Sequence, residues 1–296
     1  MIYVNIRGRA GNQMFIYALA KALKEETHQD VTLCCSMQRK ERPDFQIDLE
    51  KFQVDEKISF DYNKRFPWYA NNDFLPVKLA RKFMPITTYK YLSRHNVFLW
   101  LEATYVPINI KLIKDAYIDG FWQSEKFFKK HKKSVLKDFK MKKELNLENL
   151  DFYEEILNSE SVCVTIRRGD YLSNPENKKA YYICDEDYFQ KSVKLMQESV
   201  KDAKWFVFSD DIEWAEKAMS FPGKTRFESG LNSISEKLFL MSQCKHFILS
   251  NSSFSWWAQE LNESKEKIVI APRYWYTDHR KCDIYNDGWL LVETER

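Results

Sequence analysis

Two adjacent arginines end an apolar run in the stretch "VCVTIRRGDYL", residues 162–172. A guanidinium group is a planar fork that pairs bidentately with phosphate oxygens, and a neighbouring glycine lets a ligand approach the backbone. Arg167 and Arg168, followed by Gly169 and Asp170, therefore predict a site for a pyrophosphate. An ordinary surface ion pair with Asp170 is the alternative interpretation.

Polar residues also follow two other apolar runs. Asp210 and Asp211 come after "KWFVF" and Ser209, and they could bind a metal, cap the next helix, or accept two hydrogen bonds from a base such as guanine. Ser252 and Ser253 follow "HFIL" and open a helical segment. Their hydroxyl and free N–H groups suit a second phosphate contact or simple N-capping, and both roles are compatible.

These residues must be positioned by the elements of the second half of the chain, where short β-branched runs alternate with helical patterns. This alternation predicts a doubly wound parallel α/β domain, in which ligands bind beyond the carboxyl ends of the strands. The predicted strands are 161–166, 204–208, 246–249 and 267–270, and the predicted helices are 187–200, 212–219, 233–243 and 252–261.

The first half opens with the same kind of unit. The hydrophobic pattern predicts a strand at residues 1–6, a helix at 11–24 and a second strand at 32–36. Gly8 and Gly11 lie in the loop between the first strand and the helix. With 296 residues the chain is long enough for two domains, which we place at 1–150 and 151–296.

Composition excludes several classes of protein. A net charge of +3 is too small to indicate nucleic-acid binding. The N-terminus lacks the pattern of a signal peptide, and the six cysteines form no CxxC pair, so we expect a cytoplasmic protein with reduced thiols and no structural zinc. The basic run at 126–143 is interpreted as a solvated helix face. Its alternative is a docking surface for acidic headgroups at the inner face of the plasma membrane.

Five segments, in order, resemble motifs of the α-1,2-fucosyltransferase family. Three lie in the second half and resemble its donor-side motifs: "TIRRGDY", "FVFSDDIEWAEK" and "LFLMSQCKHFILSNSSFSWWAQEL". The N-terminal "GRAGNQMFIYALAKAL" is similar to the family's glycine-rich opening, and "IDGFWQSEKFF" is similar to a mid-chain segment. The matches reach from residue 8 to about residue 275.

The resemblance implies a GT-B-like α/β fold, with two Rossmann-like domains whose parallel sheets face each other across a cleft. The C-terminal domain would hold GDP-β-L-fucose, and the N-terminal domain would lie on the acceptor side. It also implies an inverting transfer of fucose to the 2-hydroxyl of a galactoside, with no metal or other cofactor.

Site roles are carried over residue by residue. Arg167 would bind the pyrophosphate, Arg168 would support the loop or the sugar, and Asp211 would read guanine. The other residues assigned to the donor pocket are Ser252, Ser253, Phe254, Thr165, Gly11 and Asn12.

Gln13, Trp122 and Gln123 are the candidates for the acceptor side. Asn12 and Gln13 stand at the start of the predicted helix, where helix capping is an equal alternative to ligand contact. Trp122 and Gln123 follow the strand-like "AYID". The aromatic and basic residues of 63–100 suit sugar stacking, although packing is the favoured interpretation for most of them.

The chain departs from the family pattern at two places. Thr165 stands where the family usually has histidine, so the contact to the base is expected to be weaker or rebuilt. The opening reads Arg7-Gly8-Arg9-Ala10-Gly11 instead of the usual Gly-Gly-Leu-Gly. The additional arginines would add phosphate contacts or change acceptor preference.

The residues also suggest how the reaction would proceed. Arginines on the departing diphosphate would stabilise the transition state more than the ground state. Asp170, Glu176 and Asp185 are candidates for the base, and Asp170 as a mere support for the arginines is slightly favoured. The Asp185-Glu186-Asp187 triplet has the form of a manganese site, but an N-cap is preferred at the start of the amphipathic helix that follows.

The leading hypothesis is a cytoplasmic, bacterial-type fucosyltransferase that extends a surface-glycan precursor, such as an O-antigen or capsule unit. Its partners would be GDP-fucose and a galactoside-containing acceptor, either a free oligosaccharide or a lipid-linked unit. One alternative is transfer of another GDP-sugar or formation of another linkage on the same scaffold. The other is a nucleotide-sugar or glycan-binding module without turnover.

Overall fold

The computed structural model describes residues 1–36, 46–109 and 115–294. It divides into two compact units, of which the first comprises Met1–Lys140 with Cys282–Ile284 and the second comprises Met141–Lys281 with Tyr285–Arg296. The main division thus falls at Lys140, whereas the sequence placed it at 150. All six cysteines are free thiols.

The first unit contains a five-stranded parallel sheet with the order β3-β2-β1-β5-β4 among the described strands. The predicted first strand, helix and second strand are confirmed. The strands are β1 (Ile2–Asn5), β2 (Val31–Cys34), β3 (Ile58–Asp61), β4 (Val97–Trp100) and β5 (Ala116–Gly120). The α-helices are α1 (Ala10–Thr27), α2 (Leu75–Phe83), α3 (Pro85–Ser93) and α4 (Lys132–Asp138).

The second unit contains a six-stranded parallel sheet with the order β11-β10-β9-β6-β7-β8 among the described strands. When β6 is counted as the first strand of this sheet and β11 as the sixth, the order is 6-5-4-1-2-3. From the opposite edge this is 3-2-1-4-5-6, the strand order of the dinucleotide-binding Rossmann fold. The strands are β6 (Glu160–Ile166), β7 (Ala203–Ser209), β8 (Thr225–Phe227), β9 (His246–Ile248), β10 (Val269–Pro272) and β11 (Leu290–Val292).

Seven α-helices are described in the second unit: α5 (Leu150–Leu157), α6 (Gly169–Ser173), α7 (Pro175–Tyr181), α8 (Glu186–Ser199), α9 (Ile212–Ala218), α10 (Ile234–Ser242) and α11 (Ser253–Glu260). The four strands and four helices predicted for this half are confirmed within a few residues. The sequence missed the short edge strands β8 and β11, whose residues are mostly half-buried or exposed and so lack the buried apolar run of an inner strand.

The four inner strands of the second unit, β6, β7, β9 and β10, are mostly buried on both faces, as their continuous apolar runs predicted. Val162, Val164 and Ile166 of β6 pack with Trp205 and Val207 of β7 in one core cluster. Because these strands are parallel, the polar residues that follow them lie at one edge of the sheet. The predicted α/β class with two Rossmann-like, GT-B-like halves is thereby confirmed.

Candidate active site

The carboxyl ends of β6 and β9 lie side by side where the second sheet reverses its strand order. From β6 the chain continues to β7 on one side, whereas β9 and β10 build the other side. A crevice at such a switch point is the usual ligand site of an open parallel sheet. The loop that begins at Arg167 leaves β6 at this point, and the loop that contains Ser252 leaves β9 there.

Arg167 is held by two carboxylates. Its Nη2 donates to Oδ1 of Asp170 at 2.7 Å, and its Nη1 lies 2.9 Å from Oδ2 of Asp210. The Arg167 side chain nevertheless remains 23% exposed. The ion pair with Asp170 that the sequence offered as an alternative therefore forms, and it positions the guanidinium group without burying it.

Arg168 lies flat against an aromatic ring. Its guanidinium carbon is 3.5 Å from the ring centroid of Trp214, and its Nε donates to Oδ2 of Asp211 at 3.3 Å. Arginine stacks well on an indole because the ring face is electron-rich. Arg168 is thus held against the start of α9, and its role in supporting the loop or the sugar remains a prediction.

Asp211 is the N-cap of α9, since its Oδ1 accepts the backbone N–H of Trp214 at 3.3 Å. Both of its carboxylate oxygens are engaged, one by this cap and one by Arg168. The expected contact with guanine would require the base to share or displace these partners. That contact remains a prediction.

Helix capping was one interpretation of Asp210, but the cap of α9 is Asp211 and not Asp210. Oδ1 of Asp210 accepts the backbone N–H of Arg168 at 2.8 Å, and its Oδ2 accepts that of Gly169 at 3.1 Å. A Cβ on Gly169 would lie 2.7 Å from the same Oδ2. A side chain at residue 169 would therefore push the Asp210 carboxylate away from its partners.

A second link joins the loops that follow β6 and β9. The Tyr171 hydroxyl donates to the Asn251 carbonyl at 2.9 Å, and burial raises the pKa of Tyr171 well above its usual value. The Asn251 amide donates in turn to the carbonyls of Tyr181 and Trp275 at 2.8 and 3.0 Å. The switch-point loops are therefore preorganised by buried hydrogen bonds.

Thr165 lies inside the sheet. Its hydroxyl accepts the backbone N–H of Ser250 at 3.1 Å and donates to the Ile248 carbonyl at 3.4 Å, and the residue is 3% exposed. Both hydrogen-bonding functions of the hydroxyl are used between β6 and β9. A contact of this side chain with the sugar donor remains a prediction.

Ser252 caps α11, because its hydroxyl accepts the Phe254 backbone N–H at 3.3 Å. Ser253 begins the helix, and Ser253 and Phe254 are both half-buried. The helix N-terminus thus stands at the carboxyl end of β9, as expected. Contact of these three residues with the sugar donor remains a prediction.

The acidic triplet behaves as a helix start. Asp185 caps α8 by accepting the backbone N–H of Tyr188 at 3.1 Å, and Glu186 and Asp187 lie in the first turn. Within the described ranges no group of three or more histidine, cysteine or acidic residues is arranged to hold a metal ion. Glu176 lies in the first turn of α7, where its backbone N–H donates to Asn174.

The carboxyl edge of the first sheet holds a second charged cluster. Nη2 of Arg7 donates to Asp119 Oδ2 at 2.8 Å and to Asp73 Oδ2 at 2.9 Å. Asp119 is 1% exposed and also accepts the side-chain amides of Asn5 and Asn72 at 2.9 Å. Burial lowers the pKa of Arg7, but the Asp119 and Asp73 carboxylates together raise it by more, so the pKa lies above its ordinary value.

The glycine loop of the first unit has a geometric requirement. Gly8 adopts a left-handed φ of 69°, and a Cβ there would approach Asn12 Nδ2 to 2.2 Å. The Asn12 side-chain oxygen accepts the amide of Gln123 at 2.6 Å, whereas Gly11 is buried in the first turn of α1. The structure therefore brings Asn12 and Gln123 together at this sheet edge.

Two candidates for the acceptor side are buried. Gln13 is fully enclosed, donating to the carbonyls of Gly8 and Gln46 and accepting the backbone N–H of Asp48. Trp122 is also fully enclosed, with its ring 5.3 Å from that of Phe127. Both side chains pack against and brace the loops in this structure, and their predicted acceptor contacts remain predictions.

Sequence reasoning missed Trp214 and Asp119 as parts of these clusters. Trp214 lies within the segment "FVFSDDIEWAEK", but a tryptophan at the start of a helix usually indicates core packing and not a binding site. An aspartate inside the apolar strand "AYIDG" was a usable signal, since a buried carboxylate needs a partner.

Comparison with known proteins identifies the family of the chain. The family whose sequence profile matches residues 1–293 is described as glycosyl transferase family 11. The O-antigen biosynthesis glycosyltransferase WbnK of Escherichia coli is 29% identical and covers 98% of this chain and 99% of its own length. An α-1,2-colitosyltransferase of Escherichia coli is 31% identical and covers 99% of each chain.

More distant similarity extends to a mammalian sequence and to solved structures. The galactoside 2-α-L-fucosyltransferase Sec1 of Mus musculus is 25% identical over 88% of this chain and 64% of its own length. The NodZ α-1,6-fucosyltransferase co-crystallised with GDP superposes with a TM-score of 0.53 at 14% identity, covering 87% of this chain and 91% of NodZ. That likeness shows a shared fold. From the profile match and the relatives of nearly equal length, we conclude that this chain belongs to glycosyl transferase family 11 and is a glycosyltransferase.

Proposed function

We propose that this protein is an inverting α-1,2-fucosyltransferase that moves L-fucose from GDP-β-L-fucose to the 2-hydroxyl of a terminal galactoside. The observation that carries the proposal is the pair Arg167 and Arg168 at the switch point of the second sheet, beside the start of α11. The names of the relatives support the α-1,2 linkage and a place in O-antigen biosynthesis. The acceptor would be a galactoside-containing glycan precursor made at the cytoplasmic side.

In this proposal Arg167 acts on the leaving group. Cleavage of the bond between fucose C1 and the diphosphate moves negative charge onto the diphosphate oxygens and positive charge onto the sugar ring. A guanidinium group already oriented by Asp170 and Asp210 stabilises the growing charge without rearrangement. Asp170 serves to position Arg167, and Arg168 holds the loop through Trp214 and Asp211.

The reaction is proposed to need no metal, since Asp185 is occupied as a helix cap. We expect transfer to continue in excess EDTA. Loss of activity in EDTA with recovery on addition of Mn²⁺ or Mg²⁺ would contradict this part of the proposal.

A second candidate donor is favoured by one observation. A relative at 31% identity is named an α-1,2-colitosyltransferase, so transfer of colitose from its GDP derivative is the competing function. The test is to incubate the protein with a β-galactoside acceptor and each of GDP-fucose, GDP-colitose and GDP-mannose. GDP release and linkage analysis of the product then identify the donor. Donor binding without GDP release from any of them would instead indicate a non-catalytic binding module.

A further inference from the structure

The helices α2 and α3 of the first unit expose an unusual amount of apolar surface. Five large side chains are at least 46% exposed: Leu75, Leu79, Phe83, Met84 and Ile86, and Tyr91 of α3 is 62% exposed. Single exposed apolar residues are ordinary, but a contiguous patch marks a binding surface. We call these six residues the hairpin surface.

The hairpin surface faces away from the core because a different set of residues anchors the two helices. Val77 and Leu92 pack on a cluster that includes Cys34 and Leu99. Tyr89 is 5% exposed and donates from its hydroxyl to the Pro107 carbonyl at 2.8 Å. The spacing 75, 79, 83 then places one apolar ridge along the outer side of α2.

Basic residues flank this ridge, and the segment 74–101 contains no aspartate or glutamate. Lys78 and Lys82 are exposed on α2, and Lys90 and Arg94 are exposed in and after α3. The acidic residues that bracket the segment are already paired: Asp73 with Arg7 at 2.9 Å and Glu102 with Arg81 at 3.8 Å. The apolar hairpin surface is therefore surrounded by basic side chains that no acidic residue of this segment neutralises.

We infer that the hairpin surface docks on an anionic lipid bilayer. Helices with exposed apolar side chains rimmed by lysine and arginine lie in the plane of the headgroups, with the apolar side inserted and the cations on acidic lipids. The indole of Trp68, 66% exposed and 5.3 Å from the ring of Phe74, extends the surface with a residue type favoured at membrane interfaces.

A second copy of this chain fits the surface less well, because a symmetric contact would bring its lysines against one another. The basic run 126–143 fits a bilayer less well too. Its apolar residues Phe128, Val135, Leu136 and Phe139 are buried, so it exposes lysines without an apolar ridge. That run is the solvated face that the sequence favoured.

Docking by this surface would be peripheral. No described helix combines the length and the apolar character needed to cross a bilayer. Asp73, the residue before Phe74, is bonded to Arg7 at the carboxyl end of the first sheet, so the hairpin surface begins beside that edge. A docked protein would hold this edge close to the headgroups.

Vesicle co-sedimentation tests the inference without donor or acceptor, so its result is independent of the transfer reaction. Wild-type protein is expected to pellet with phosphatidylcholine vesicles that contain phosphatidylglycerol, more weakly with phosphatidylcholine alone, and less as salt increases. The variant Leu79→Glu/Phe83→Glu is expected to lower the partition coefficient about tenfold or more. Lys78→Gln/Lys82→Gln is expected to reduce binding to the anionic vesicles only.

Matched controls come from exposed residues elsewhere. Leu147→Glu/Leu231→Glu changes two leucines that are 79% and 91% exposed, and Lys130→Gln/Lys133→Gln changes the basic run. Both should bind like wild type, and circular dichroism should show that every variant is folded. Absence of wild-type binding to anionic vesicles, or unchanged binding of the Leu79→Glu/Phe83→Glu variant, overturns the inference. A fall in oligomeric mass of that variant in sedimentation velocity would assign the surface to self-association instead.

Discussion

Asp210 and Arg167 stand on neighbouring strand ends, and Oδ2 of Asp210 lies 2.9 Å from Nη1 of Arg167. The same carboxylate accepts the backbone N–H groups of Arg168 and Gly169. One side chain that follows β7 therefore sets the geometry of the whole arginine loop that follows β6.

Replacing Arg167 with alanine is expected to lower kcat for sugar transfer about 10²–10³-fold, the usual loss when a donor to a developing anion is removed. Arg167→Lys should recover only part of the rate, because an ammonium group lacks the fork. GDP release at saturating donor measures both. Lys217→Ala, an exposed change on α9, is the control. An Arg167→Ala enzyme that kept more than half of its activity would refute the role.

Removing the Asp210 carboxylate is expected to weaken donor binding on the order of tenfold, since two backbone N–H groups and a guanidinium lose their common acceptor. Gly169→Ala should have a similar effect through the crowding of its Cβ against Oδ2. Isothermal titration with GDP measures the affinities of Asp210→Ala and Gly169→Ala. Unchanged GDP affinity in both would show that this loop does not hold the nucleotide.

Asp170→Asn separates two roles for Asp170. The amide oxygen can still accept from Arg167, so a positioning role predicts a modest change in donor KM and an unchanged pH profile of kcat. A general base would instead lose about 10²–10⁴-fold in kcat together with the acidic limb of that profile. We expect the first result, given the 2.7 Å bond to Arg167.

The ion pair between Arg7 and Asp119 should be sensitive to truncation. The two side chains are 11% and 1% exposed, so Arg7→Met leaves a buried carboxylate without its cation. Loss of one partner of such a pair costs about 3–5 kcal/mol in the free energy of unfolding. Urea denaturation measures the loss. Asp73→Asn removes the more exposed partner, 45% exposed, and should cost less than about 1 kcal/mol.

His246 should make stability depend on pH. Burial lowers the pKa of His246 below its ordinary 6.5, and the Glu160 carboxylate opposes this only in part. Its Nδ1 accepts the Ile268 backbone N–H at 3.1 Å, which requires an unprotonated nitrogen. The unfolded chain therefore binds the proton more readily, and the free energy of unfolding should fall as pH drops from 6.5 toward the folded-state pKa.

Thermal denaturation at a series of pH values tests this dependence. His246→Asn should flatten the curve over that interval, whereas His95→Asn, an exposed change, should leave it as in wild type. An equal slope in the His246→Asn protein would assign the pH dependence to other groups.

The sequence alone determined four of the six described strands and four of the seven described α-helices of the second half, and the placement of Arg167 and Arg168 at a strand end. Hydrophobic periodicity carries that information, because burial of each strand and of one face of each helix is a local requirement on residue type. The capping role of Asp185 was equally local, since a carboxylate before an amphipathic helix bonds to its own first turn.

Only the tertiary structure decided which polar side chains meet and which face solvent. The strand order placed the Asp210 side chain against the loop that follows β6. The packing of the loops buried Gln13 and Trp122, and the Thr165 hydroxyl forms its hydrogen bonds between β6 and β9. The apolar residues at 75, 79 and 83 have the spacing of a core-facing ridge, yet they lie outside. An amphipathic pattern states which side of a helix is apolar, whereas only the packing of the other elements determines what covers it.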